Sequence, residues 1–274
     1  MEQKIVLKQR QIEGLANLDK LVAFGNTKIT ATAGQAQRIA HLGDRKKLLL
    51  TLSIAVHGHV SSMSYLLKEG RIDSSEVLLR SILEGYVNAA YIVSSNNDSR
   101  AANYVLTEEV AKLKNYKKMQ KYRKDHPSYD TGEDTYTDQD IQKGVEREVD
   151  VIDKIKHKYL NAKEVTLREK LTAIDQKFSQ RAKTYRPMEW SYFHTYHILC
   201  KTSHVTFDSL LSLFERSGNE LAFYMGGNPK RIPLLTLSAY ALYLDMLNMF
   251  LPRFGGKSSQ LKQFEGALEL LKEI

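Results

Sequence analysis

Apolar positions recur every three to four residues along almost the whole chain, and that period is the helical one. In residues 1–25 it is carried by Ile5, Ile12, Leu15, Leu18 and Leu21. Gly25-Asn26-Thr27 predicts a break there, followed by a Thr-rich stretch to Gly34. The pattern resumes near Gln37 and holds to Glu69, where Gly70 is a natural C-terminal glycine. Asp73-Ser74, both good N-cap types, predict the start of the next helix, with Val77, Leu78, Ile82, Leu83, Tyr86, Val87, Ala90 and Ile92 on its apolar side. A third long helix over 97–126 is strongly charged. After the polar acidic stretch PSYDTGEDTYTD, a return helix covers Asp138 to Leu160. A shorter helix is predicted over 165–177, and another from Glu189 past His204 and on to Arg216. The turn residues Gly226-Gly227-Asn228-Pro229 mark 219–231 as the main non-helical segment, and two closing helices follow near 233–251 and 257–273. The expected fold class is all-α: a multi-helix bundle forming one helical domain over 1–274. Its N-terminal helix is 1–25, its core is about 37–95 and 165–274, and a long charged helical hairpin spans about 97–160.

Composition supports this reading. Five prolines and 15 glycines in 274 residues are too few for the many turns of an all-β fold. Hydrophobic residues at 42% with 26% charged argue for a packed core and against disorder. Cys200 is the single cysteine, so no internal disulfide and no multi-thiolate zinc site is expected. The N-terminal MEQKIVLKQRQIEG has charges throughout and no apolar run, so a cytoplasmic location is expected. Residues 232–251 just reach membrane-spanning length. Asp245, Asn248, Thr236 and Ser238 interrupt them, so they read as a buried bundle helix and no membrane partner is expected.

Candidate chemistry lies in polar residues on otherwise apolar helices. Ser53, His57 and Ser61 are spaced by four, as are Arg80, Glu84 and Asn88, and as are Tyr192, Tyr196, Cys200 and His204. Residues four apart share a helix face. Burying such groups unpaired costs roughly 1–3 kcal/mol each, so the simplest arrangement joins the three stripes in one polar pocket. Two readings stay open. In the first, Arg80 and Glu84 form a structural pair that fixes helix register. In the second, the pocket is a site, with Arg80, Glu84 and His204 as catalytic candidates and His57, Tyr196, His197 and Lys201 as substrate-binding candidates. An arginine, a carboxylate, histidines and tyrosines together suit phosphate binding and proton transfer. No complete metal-ligand set, HExxH motif or phosphate-cradling glycine loop is present, so neither metal nor cofactor is expected.

The net charge of +8 points weakly to nucleic acid. Its densest patch is KLKNYKKMQKYRK, residues 112–124, with seven Lys/Arg and two interleaved tyrosines. Lys114, Lys117, Lys118, Lys121 and Arg123 are the candidate nucleic-acid contacts, with Tyr116 and Tyr122 able to touch sugars or bases. The competing reading is internal neutralisation, because residues 130–153 hold nine Asp/Glu against two Lys/Arg.

The Arg80-Ser81-x-x-Glu84 helix, the later Tyr196-x-x-x-Cys200-x-x-x-His204 helix and the Gly226-Gly227-Asn228-Pro229 turn before LLTLSAYALYLDM resemble a recurring bacterial all-helical family of uncharacterised function, met at times near mobile or defence genes. The resemblance covers about 45–95 and 188–250 and leaves the charged hairpin outside. A looser similarity is to the HEPN superfamily of RNA-cleaving bundles. Only His204 fits its Arg-and-His motif, since no arginine precedes it at the right distance and Arg80 would have to supply the charge from a neighbouring helix. The resemblance implies a defence- or toxin-type protein that binds or cleaves RNA or a nucleotide without metal. The alternative is a non-catalytic interaction module, partnered by a protein from the same operon or by a second copy.

Overall fold

The computed structural model describes residues 8–35, 43–126, 137–178, 188–189, 192–193, 196, 214–217, 220–223 and 227–272, with backbone alone for 214–223 and 269–272. The chain is an all-α protein. Its described helices are α1 (Gln9–Gly34), α2 (Asp44–Lys68), α3 (Ile72–Val93), α4 (Ser99–Asp125), α5 (Asp138–Lys158), α6 (Leu167–Phe178), α7 (Ile232–Phe250) and α8 (Lys262–Lys272). A small antiparallel hairpin, β1 (Phe214–Ser217) with β2 (Glu220–Phe223), pairs Phe214 with Phe223 and Ser217 with Glu220. The helix expected to run to Arg216 therefore gives way to a strand by Phe214. The start of the second expected helix, at Gln37, lies outside the described residues.

The chain divides into two compact units, Ser95–Lys170 and the remainder. In the larger one, α2 and α7 pack on each other and each packs on both α1 and α3. Leu15, Leu18 and Leu21 of α1, Leu49, Val56, Val60 and Met63 of α2, Leu79 and Ile82 of α3, and Leu235, Tyr240, Tyr243 and Leu247 of α7 are all buried and make up its core. Each such side chain contributes roughly 1.5–3 kcal/mol when fully buried. The segment around α7 is long and apolar enough to cross a membrane, but 61% of its most apolar stretch is covered by the bundle. Asp19 ties α1 to α2 by accepting from the Ser64 hydroxyl (2.6 Å) and pairing with Lys68.

The expected break at Gly25 does not occur: α1 runs through it to Gly34. Gly25 is a packing residue. A Cβ there would sit 1.8 Å from the Tyr243 hydroxyl and 2.7 Å from its ring carbon, so only glycine lets α7 bring that ring against α1. The threonines beyond it tolerate the helix because the Thr27 and Thr32 hydroxyls donate to the carbonyls of Ala23 (3.1 Å) and Lys28 (2.9 Å) one turn back.

In the smaller unit α4 and α5 pack as a hairpin. Its apolar content is thin, with Ala101, Ala102, Leu106, Ile141 and Ile152 buried. Polar contacts supplement it: Gln120 donates to Gln142 (2.8 Å) and Arg123 pairs with Asp138 (2.9 Å). Thr137 starts α5 with a reciprocal cap, accepting from the Asp140 N–H (3.2 Å) while the Asp140 carboxylate accepts from the Thr137 N–H (3.0 Å). The Thr137 hydroxyl, which donates to the Asp140 carboxylate at 2.7 Å, and then the Thr137 N–H hold the Asp140 carboxyl below its ordinary range.

Gly25→Ala should destabilise the protein by about 1–3 kcal/mol through overpacking, read as a lower denaturant midpoint at unchanged slope. Adding Tyr243→Phe should recover part of the loss, because the hydroxyl is the nearest atom to the new methyl group.

Candidate functional site

Arg80 and Glu84 lie one turn apart on α3, where Arg80 Nε donates to Glu84 Oε1 at 3.2 Å. Arg80 Nη2 donates to the Tyr196 hydroxyl at 2.6 Å, and the guanidinium carbon lies 4.8 Å from the centre of the Tyr196 ring. Tyr196 stacks on Tyr192 (4.9 Å, 18°), and Tyr192 is itself buried and edge-on to Phe193. Two of the predicted stripes thus meet. The guanidinium plane is fixed from one side by a carboxylate and from the other by a phenol backed by a second ring. The cluster is not the buried pocket expected from the apolar helix: the Arg80 and Glu84 side chains keep 28% and 44% of their exposure. An i, i+4 pair this open to solvent contributes only about 0.3–0.5 kcal/mol.

The third stripe goes elsewhere. His57 Nδ1 lies 2.6 Å from the Tyr243 hydroxyl on α7, while Ser53 and Ser61 donate to the carbonyls of Leu49 (2.7 Å) and His57 (2.9 Å) on their own helix. Burial lowers the His57 pKa and pushes the Tyr243 phenol well above its usual range, so the two meet as neutral groups sharing one hydrogen bond. His57 is thus a half-buried residue partnered by tyrosine, and its described side-chain contacts are to Tyr243 and not to Arg80, Glu84 or Tyr196. The sign follows from the depressed folded value. The stability this neutral pair contributes is complete above the unperturbed imidazole pKa of 6.5 and is lost as pH falls through the folded one. His197, Lys201 and His204 lie outside the described residues, as does Cys200.

A charged cluster that sequence reasoning missed sits one turn before Arg80. Glu76 is fully buried on α3 and pairs with Arg231, which is 24% exposed. Arg231 is presented by a 3-10 turn, Pro229–Arg231, whose Asn228 side chain accepts from the Lys230 N–H at 3.0 Å. Gly227 enters that turn at φ +91°, where a side chain would be strained and a Cβ would lie 2.4 Å from the Asp73 carboxylate. Burial raises the Asp73 carboxyl, with Arg231 opposing the shift. The expected Gly-Gly-Asn-Pro turn is therefore the device that delivers a counter-ion to a buried glutamate. The signal available was the spacing Asp73, Glu76, Arg80 on an apolar helix, which continues the Arg80-Glu84 stripe toward the N-terminus.

On α4 the basic residues divide into two sets. Arg123 pairs with Asp138, Lys114 with Glu164 (2.9 Å) and Lys112 with Glu109 (2.7 Å). Lys117, Lys118, Lys121 and Lys124 are exposed and have no ion pair among the described residues, and Tyr122 beside them is 56% exposed and stacked on His126 at 4.4 Å. Neutralisation by the acidic arm is therefore partial. Its centre is the buried Glu148, which accepts from Arg147 Nη2 (2.7 Å). Burial and a hydrogen bond to Glu148 raise the Glu109 carboxyl. The same hydrogen bond, with Arg147, holds Glu148 down, while Lys112 opposes the rise at Glu109. Among the described residues no group of three or more His, Cys, Asp or Glu is placed to hold a metal.

A family model described as a family of unknown function, DUF5677, matches residues 46–221, well over half of the chain. The match includes the charged hairpin, which the motif resemblance leaves out, and stops before α7, which that resemblance includes. No curated protein and no solved structure matches the chain.

The two ion pairs on α3 should respond differently to substitution. Arg231→Gln should cost about 3–5 kcal/mol by stranding the buried Glu76 carboxylate, and the Glu76→Gln/Arg231→Gln double variant should cost less than the sum. Glu84→Gln should change stability by less than about 1 kcal/mol. Chemical denaturation of the four proteins measures both.

Proposed function

We propose, for a chain that belongs to the DUF5677 family and inherits no activity from it, that the Arg80 cluster binds a phosphate of RNA or of a nucleotide. The observation that carries the reading is the Arg80 guanidinium, held in one orientation by Glu84 and Tyr196 yet still reachable from solvent. A fixed, planar, always-charged donor fork suits a phosphate better than a mobile lysine does. Pre-orientation also removes the ordering cost a free arginine would meet on binding. The Tyr196 ring, backed by Tyr192, offers a face on which a base stacks, worth about 1–3 kcal/mol per base. In a cleavage version His204 takes the proton from the attacking 2′-hydroxyl or gives one to the departing 5′-oxygen, and Arg80 stabilises the charge on phosphorus. The defence- or toxin-type setting and the HEPN likeness rest on the Arg-Ser-x-x-Glu and His204 motifs alone. Lys117, Lys118 and Lys121 supply sequence-independent phosphate contacts in the hairpin.

A second reading, a non-catalytic module that self-associates, is favoured by one feature. The outer face of α2 exposes Ile54, Gly58 and Tyr65 in a row of small and apolar residues. Light scattering on the purified protein separates a monomer from a dimer directly.

Gel-shift titration with single-stranded RNA should show Arg80→Gln binding at least about tenfold more weakly than the unaltered protein. His204→Ala should retain binding and lose any cleavage. RNA binding unaffected by Arg80→Gln would exclude the cluster as the site. Replacing Lys117, Lys118 and Lys121 together by Gln should reduce the slope of log affinity against log salt by about 2.

A further inference from the structure

A cavity of 480 Å³ opens at the end of the bundle where α1 finishes, α2 begins and α7 gives way to a 3-10 turn. Its charged lining is Lys28 from α1, Lys46 from α2 and Arg253 from beyond α7, and no carboxylate is among its described lining residues. The three cations come from separate elements, so folding, not a local run of sequence, gathers them. Arg253 is partly committed, since its Nη1 donates to the Met249 carbonyl at 2.7 Å and closes α7. Lys28 lies over the Phe24 ring at 5.3 Å, a contact that orients an ammonium without neutralising it. Lys46 sits in the first turn of α2, where the helix dipole adds to its positive field instead of offsetting it. One wall is aromatic: Phe250 is buried and stacks on the half-buried Phe254 at 4.5 Å. Thr32, Gln35 and Gln260 add neutral donors and acceptors at the rim.

We propose that this cleft is a second, independent binding site for a small phosphorylated ligand bearing a flat ring, the chemistry of a nucleoside monophosphate. The volume falls in the range of small-molecule sites, about 300–1,000 Å³. Lys28 and Lys46 bracket the phosphate and Arg253 completes its field. Phe254, supported from behind by Phe250, takes the ring face, and the amide side chains meet its polar edge. The ends of α1 and α7 also point their carbonyl termini toward this region, which tempers the positive field and sets a monoanionic or dianionic ligand, not a polyphosphate, as the best match. The cleft involves none of the Arg80 cluster, so the two sites stand or fall separately.

Calorimetric titration of the full chain with adenosine 5′-monophosphate, adenosine and inorganic phosphate at low salt tests the assignment. The monophosphate should bind, adenosine and phosphate should each bind at least about tenfold more weakly, and added salt should weaken the monophosphate. Lys28→Gln/Lys46→Gln replaces one half-buried and one exposed lysine, neither in the core, and should leave the melting temperature close to that of the unaltered protein while lowering monophosphate affinity at least about tenfold. Phe254→Leu should weaken the monophosphate and leave inorganic phosphate unchanged, and Arg80→Gln should alter neither. No binding of the monophosphate, equal binding of adenosine, or indifference to the lysine double variant overturns the proposal. Loss of binding in Arg80→Gln would do so as well, by placing the ligand at the other site.

Discussion

Tyr243 of α7 reaches across the bundle core, its ring resting on the bare backbone of Gly25 in α1 and its hydroxyl bonded to His57 in α2 at 2.6 Å. One side chain therefore sets the spacing of three helices. A bulkier residue at 25 would push α7 outward, and burial opposes a charge on His57. The tyrosine is buried and its partner half-buried, so neither group has a cheap alternative to the other, and the cost of leaving either unmet exceeds the modest gain from the bond itself. Because α3 packs on both α2 and α7, the position of the Arg80 cluster depends on that spacing without touching it.

The α3 helix shows how burial separates scaffold from site along a single stripe. Glu76 and Glu84 are two turns apart on the same helix and each pairs with an arginine, yet one is sealed and the other keeps 44% of its exposure. A carboxylate at zero exposure has to be matched by a cation delivered in a fixed geometry, and the Gly227–Arg231 turn provides it. A half-exposed carboxylate has water as an alternative partner, so its pairing with Arg80 contributes little to stability and is open to exchange with an incoming anion. The same chemistry in two depths of solvent gives a structural pair and an adjustable one.

Helix positions were legible because they follow from the period of apolar residues, and α2 through α7 begin or end within a few residues of the expected places. The failures share a cause. Gly25 reads locally as a helix breaker, and only the arrival of Tyr243 from residues more than two hundred positions away explains why it is glycine. Ser53, His57, Arg80 and Glu84 do lie on helices at the expected spacing, but a helix face has several neighbours. Periodicity could not say that His57 turns to α7 while Arg80 turns to Tyr196. Glu76 was passed over because a glutamate near a helix start is ordinarily solvated and favoured there by the dipole. Its counter-ion lies 155 positions along the chain, beyond any local pattern.

The charge of the molecule becomes interpretable only after the ion pairs are removed from it. On α4, Glu109, Glu164 and Asp138 take up Lys112, Lys114 and Arg123, so the exposed cations left without an ion pair among the described residues are the short row Lys117, Lys118, Lys121 and Lys124. At the end of the bundle the reverse holds: Lys28, Lys46 and Arg253 are scattered in sequence and form a patch only in the fold. A sequence scan overstates the first and cannot see the second, because it sums charge along the chain whereas a ligand feels charge through space within roughly one Debye length, about 8–10 Å. The excess of +8 is therefore distributed as separate local fields, each facing solvent at a different place, and any anion this protein binds is selected by the shape and aromatic surface around each field more than by the total.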